Sequence, residues 1–186
     1  MSEQRNLILE LNNVGFVYST GIGFYGGKKI EALRDISLHV HEGETLGLIG
    51  RNGCGKSTLL RLIMGVFKPV RGTVTRYCEN ISLLALNVGF DPLLSGSDNL
   101  IISCMFLGAS RKEAYAMHDE IVEFAELEDY IDQPLKTYSS GMEARLGFSV
   151  GLKMKADLLL VDEVLGVGDM AFRIKAQNAM RDRINS

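Results

Sequence analysis

The run Gly50-Arg51-Asn52-Gly53-Cys54-Gly55-Lys56-Ser57, followed by Thr58, spells GxxxxGK[ST], a spacing suited to holding several negative oxygens at once. Its glycines let the backbone turn tightly enough for N–H groups from residues 53–58 to converge on phosphates at the start of a helix. Lys56 adds a point charge beside the β- and γ-phosphates. Ser57 offers a hydroxyl to Mg²⁺, which takes octahedral oxygen ligands and keeps several of its waters. The bland alternative is a glycine-rich turn with no ligand. Cys54, inside the loop, reads as a small residue where Ala or Ser would serve rather than as a redox group.

A second constellation closes the run Leu158-Leu159-Leu160-Val161-Asp162-Glu163. Two carboxylates at the end of a buried strand lie where open α/β sheets bind ligands. Asp162 is expected to hold the metal through its water shell, and Glu163 to polarise the water that attacks a γ-phosphate. Taken alone, such a pair is more often a solvated strand end. A third cluster, Tyr138-Ser139-Ser140-Gly141-Met142, opens a helix running toward Met154 and by itself is an ordinary N-cap.

These residues need elements to place them. Residues 7–18 and 32–40 mix β-branched, aromatic and alternating apolar residues and are expected as antiparallel strands around a glycine-rich loop at 19–29. Residues 45–49 are expected as a buried strand feeding Gly50, with a helix from Lys56 to Met64. The break at Lys68-Pro69-Val70-Arg71-Gly72 precedes short strands at 73–77 and 81–84. From Ser97 the pattern turns helical, with Ala114, Met117, Ile121 and Phe124 forming one stripe, so residues 87–153 read as a helical insert. Residues 158–161 return to a buried strand, and Phe172, Ala176, Ala179 and Met180 mark a last amphipathic helix.

The expected fold class is α/β, a P-loop NTPase core of RecA-like type with an antiparallel β subdomain and an inserted helical subdomain. One domain is expected over 1–186, its β-rich core at 1–86 and 154–186. The 20 Lys and Arg against 23 Asp and Glu leave a net charge of −3, too acidic to grip a nucleic-acid backbone by charge. The 3 cysteines form no CxxC pair, so neither a disulfide framework nor a zinc site is expected. No run approaches the ~20 apolar residues that span a bilayer. Residues 100–109, LIISCMFLGA, come nearest and are expected as a buried helix. The clusters Arg111-Lys112 and Arg181-Asp182-Arg183 are expected on solvated helix faces.

The three motifs, in this order and separated by a helical insert, resemble the ATP-binding cassette family, whose signature LSGGQ is matched loosely by YSSGM. The wording of residues 86–100, 136–150 and 158–172 looks like its polysaccharide-exporter branch, which serves O-antigen, capsule and teichoic-acid transporters. The resemblance implies ATP and Mg²⁺ as ligands and a head-to-tail homodimer. In that dimer one subunit's phosphate loop and the other's Ser139, Ser140 and Gly141 sandwich each ATP. It implies an integral-membrane permease as partner and a peripheral place at the cytoplasmic face of the inner membrane, with no nucleic acid and no direct membrane insertion. It also puts Asp169 at the D-loop aspartate, Asn87 near the Q-loop position, and Tyr18 at the aromatic that stacks on adenine, with Tyr25 as rival.

Two departures from that family pattern stand out. No Gln lies between Gln4 and Gln133, and no histidine follows Asp169. The second leads to the expectation of a C-terminally truncated cassette that binds nucleotide but turns it over weakly. Two other classes compete with a transport ATPase: a soluble cassette of DNA repair or translation, disfavoured by charge and length, and a nucleotide sensor without productive turnover.

Overall fold

The computed structural model describes residues 5–20, 28–84, 87–162 and 168–185. Two compact bodies are present, residues 1–81 and residues 82–186.

The first body is built on a three-stranded antiparallel sheet in the order β2-β1-β3, with β1 at Leu7–Thr20, β2 at Lys28–His41 and β3 at Arg71–Arg76. Leu11 lies opposite Leu38 on one side and Val74 on the other. Leu9 and Leu11 alternate inward as a half-buried strand requires. A register shift around Asn13, whose φ is 48°, then turns Val14 to the same buried face, the parity change an inserted residue produces. Strands β1 and β2 both run longer than their apolar patterns suggest, β1 reaching Thr20 and β2 starting at Lys28.

Helix α1, Lys56–Ile63, buries Thr58, Leu59, Leu60, Leu62 and Ile63. Its carboxyl end is closed by a residue far away in sequence. The Arg76 guanidinium on β3 donates to the carbonyls of Ile63 and Leu62, each at 2.6 Å. That meets two of the last-turn carbonyls, which have no partner inside the helix, with the charge sign that favours this pole of the helix dipole.

One expectation is overturned here. Residues 45–49 form no strand, and Leu46, Leu48 and Ile49 are 46%, 38% and 101% exposed. A short apolar strand forms only where a neighbouring strand takes up its backbone groups. Among the described residues this run joins neither sheet.

The second body contains α2 (Gly96–Phe106), α3 (Arg111–Ala125), a 3-10 turn at Leu135–Thr137, α4 (Ser140–Lys153) and α5 (Met170–Asn185). A two-stranded sheet pairs β4, Ile81–Leu83, with β5, Leu158–Leu160, and Leu84 N–H donates to Leu160 O just beyond it at 2.8 Å. Helix α3 opens on a capping box. Ser110 Oγ accepts from Glu113 N–H, and Glu113 Oε2 accepts from Ser110 N–H, an arrangement worth about 1 kcal/mol. Leu100, Cys104, Ile121, Leu127 and Leu146 form one core, and Leu84, Phe148, Phe172 and Met180 a second. Phe172, Ala176 and Met180 of α5 pack with Phe148 and Leu152 of α4 in this second core.

The amphipathic stripe of α3 is as expected at Ala114 and Ile121, with Met117 packed at the edge of the core. Residues 100–109 are less buried than expected, because Met105 and Phe106 are 47% and 68% exposed on the last turn of α2. Arg183 does not belong to a solvated face. It donates to Leu152 O and, at 2.5 Å, to Met154 O, closing the carboxyl end of α4 as Arg76 closes that of α1. Arg111 does stay at the surface, its guanidinium 5.5 Å from the Tyr115 ring centroid.

Candidate functional site

In the first body the functional residues gather around the start of α1. Gly53 and Gly55 have φ of 80° and 101°, backbone that an L side chain rarely adopts. Gly55 has a second reason to be glycine, since a Cβ there would lie 2.5 Å from Ala32 O and 2.8 Å from Leu33 Cδ2. The loop is thereby pressed onto β2 without an intervening side chain. Gly50 faces Cys54, whose Sγ would be 2.5 Å from an added Cβ. Cys54 is exposed, so the thiol fills the inside of the turn while one side meets solvent.

Gly55 caps α1 with no side-chain hydrogen bond. The amides of Lys56, Ser57 and Thr58 therefore open the helix with no carbonyl a turn behind them, the condition that suits an anion. One amide expected in that ring is engaged elsewhere. Cys54 N–H donates to Arg51 O at 3.2 Å, which makes it part of the turn. Lys56 Nζ donates to Gly50 O at 2.8 Å and to Arg51 O at 3.4 Å, so the ammonium spans the loop from its first turn. Asn52 and Ser57 are exposed, and Thr58 is 8% exposed.

Tyr18 reaches this helix from β1, with its hydroxyl 3.1 Å from Thr58 Oγ1. Its ring meets Phe16 and Phe67 edge to face, at 5.0 and 6.0 Å between centroids. Tyr25 lies outside the described residues. These loop features fit a phosphate-bearing ligand: two turns open only to glycine, a helix start without a capping side chain, and one ammonium beside it.

The second body holds the other expected residues. Ser139 is the N-cap of α4, its Oγ accepting from Met142 N–H at 3.2 Å, and Ser139 and Ser140 are exposed. Tyr138, just before, is buried and donates its hydroxyl to Tyr130 O at 2.7 Å. Asp169 starts α5, its Oδ1 accepting from Phe172 N–H at 2.9 Å. The two turns meet, for a Cβ on Gly141 would stand 3.9 Å from Gly168 Cα. Sequence reading took Ser139 and Asp169 as separate motifs, and the structure makes them neighbours.

Asp162 is half-buried just past β5, and Glu163 lies outside the described residues. Ser57 and Asp162, the expected metal partners, belong to different bodies, and no group of three or more His, Cys, Asp or Glu among the described residues could hold a metal by itself. Asn87 has φ of 63° in the turn preceding Phe90.

Sequence reading missed Asn99. It is fully buried, donating through Nδ2 to the carbonyls of Asp91, Leu94 and Ser95 and accepting from Asp91 N–H at 2.6 Å. It holds the 91–95 loop in shape and leaves Leu93 73% exposed at its tip. The only sequence signal was an Asn at a core-facing helical position, which needs internal partners to be tolerated.

The ABC transporter family matches residues 33–166. The chain is 48% identical over 156 residues to the O-antigen export system ATP-binding protein RfbB of Klebsiella pneumoniae, covering 84% of this chain and 63% of that protein. It is 46% identical over 147 residues to the teichoic acids export ATP-binding protein TagH of Shouchella clausii, covering 79% of this chain and 41% of that protein. The chain thus spans less than two thirds of the length of either relative. Its fold is similar to the dimeric, post-hydrolysis ATP-binding cassette MJ0796 bound to ADP and Pi, with a TM-score of 0.76 and 23% identity over 95% of this chain and 83% of that one.

Proposed function

We propose, from the premise that this chain belongs to the ABC transporter family, that it is the ATP-binding and ATP-hydrolysing subunit of a polysaccharide exporter of the O-antigen, capsule or teichoic-acid class. The observation that carries the proposal is the uncapped start of α1 behind Gly53 and Gly55, with Lys56 Nζ lying across the loop. The names of the RfbB and TagH relatives supply the substrate class.

In this reading the amides at 55–58 and the Lys56 ammonium take the β- and γ-phosphates, and Gly50, Asn52, Gly53 and Cys54 shape the loop around them. Ser57 directly, and Asp162 through water, would hold Mg²⁺, which when bound spreads the negative charge of the β/γ oxygens. Glu163 accepts a proton from the attacking water, a role worth about 10² to 10⁴ in rate. Tyr18 offers its ring to the adenine.

Ser139, Ser140 and Gly141, at the start of α4, face the γ-phosphate held by a second copy of the chain, with Asp169 beside them. A helix start aimed at a phosphate adds dipole and N–H stabilisation only when the two copies close. ATP thereby favours the closed head-to-tail dimer. Closure moves a permease partner, contacted through the helical surface around residues 90–107, from the cytoplasmic face of the membrane. Among the described residues no helix is long and apolar enough to cross a membrane.

Two measurements test the proposal. Steady-state phosphate release should need both Mg²⁺ and ATP and should rise more than linearly with protein concentration, as a dimer requires. Co-expression with a polysaccharide permease should yield a complex that survives purification. Turnover linear in protein concentration, with no permease retained, would sink the transport reading.

A further inference from the structure

Glu126 breaks two local rules at once. It caps α3 with φ of 57° and ψ of 51°, left-handed backbone where helix ends ordinarily select Gly or Asn. A carboxylate there also sits at the negative pole of the helix. A residue kept against both preferences points to a task for its side chain.

Both of its oxygens are in use. Oε2 accepts from Arg145 Nη1 on α4 at 3.3 Å, and Oε1 from Lys175 Nζ on α5 at 2.8 Å. Arg145 is packed along the turn that precedes α5, since a Cβ on Gly168 would be 3.2 Å from Arg145 Cγ. Its guanidinium lies 5.8 Å from the Phe172 centroid, and Lys175 Nζ lies 4.9 Å from that of Phe124. One carboxylate therefore ties two cations that each rest on the Phe124, Phe148 and Phe172 cluster. The same Gly168 faces Gly141 from the other side.

We infer that Glu126 is a positioning residue. Its carboxylate clamps α4 to α5, so that the Ser139–Gly141 turn stays seated on the Gly168–Asp169 turn and the start of α4 reaches the other subunit's phosphates as one rigid surface. This role rests on the nucleotide-sandwich reading above. Each ion pair is partly exposed and adds little to stability. Its effect is on alignment, where small misplacements of donors are costly.

Glu126→Gly separates this from a plain cap, because it installs the residue the backbone prefers while removing the carboxylate. A plain cap predicts equal or higher stability with unchanged function. The clamp predicts an equal or higher thermal midpoint together with amide exchange at Met142 and Glu143 about fivefold faster. It also predicts a Mg-ATP-driven dimer about fivefold weaker, with monomer ATP affinity retained. Exchange at those amides equal to that of the unaltered chain overturns the clamp, as does equal dimer affinity. If the unaltered chain forms no dimer with Mg-ATP, the sandwich reading fails by itself and the exchange comparison still decides the clamp. Should the glycine variant not fold, Glu126→Gln, which keeps side-chain length and removes the charge, is read by the same exchange and dimer measurements with the same expected changes.

Discussion

The Tyr18 hydroxyl on β1 stands 3.1 Å from Thr58 Oγ1 in the first turn of α1, so the aromatic assigned to the base also braces the helix assigned to the phosphates. Thr58 is 8% exposed, and its hydroxyl has little water to turn to when that partner is removed. Tyr18→Phe keeps the ring against Phe16 and Phe67 but removes the bond, and should cost about 1 kcal/mol, or roughly 2–4 °C in thermal midpoint. A midpoint identical to the parent's would show the contact to be incidental.

Lys56 Nζ donates to the carbonyls of Gly50 and Arg51, which hold it over the loop. Lys56→Ala removes the fixed positive charge beside the phosphates and should weaken Mg-ATP binding by about tenfold or more. Calorimetry with ATP reads this directly. Affinity equal to the parent's would move the phosphate site away from this loop.

Glu163, outside the described residues, follows Asp162 in the assigned carboxylate pair. Glu163→Gln removes the proton acceptor while keeping size and polarity, so ATP affinity should persist and turnover should fall about 10²-fold or more. Size-exclusion chromatography with Mg-ATP should then show an accumulated dimer. Faster phosphate release by the variant would transfer the base role to another residue.

Burial pushes the Cys104 thiol up to about 11, and burial followed by the charge of Asp132 pushes the Tyr138 phenol up to about 12. Both groups hold their proton more tightly folded than unfolded. Their contribution to stability is complete below the unfolded values of about 8.5 and 10 and is lost as pH rises through 11 and 12. The urea midpoint should therefore fall between pH 8 and pH 10.5, and fall less in Cys104→Ala. Parallel pH profiles for the two proteins would contradict this.

Much of the architecture could be read from local pattern. The stripe on α3, the N-cap at Ser139 and the glycine loop before α1 each follow from residues within a turn or two of one another. What escaped was set by distance in the chain. Arg76 and Arg183 close helices 13 or more residues away, and neither differs in type from an ordinary surface arginine. Residues 45–49 carry the composition of a buried strand, yet a strand exists only where neighbours pair with it, and composition does not state who those neighbours are. Glu126 escaped for the opposite reason, because its local signal argues against the conformation it adopts.

Helix α1 is fastened to the antiparallel sheet at three heights: Gly55 flush against Ala32, Thr58 at Tyr18, and the last carbonyls at Arg76. These contacts join the start of α1 to β2, its first turn to β1 and its last turn to β3. Tension on the start of the helix is therefore shared by attachments on β1, β2 and β3 rather than borne by one loop.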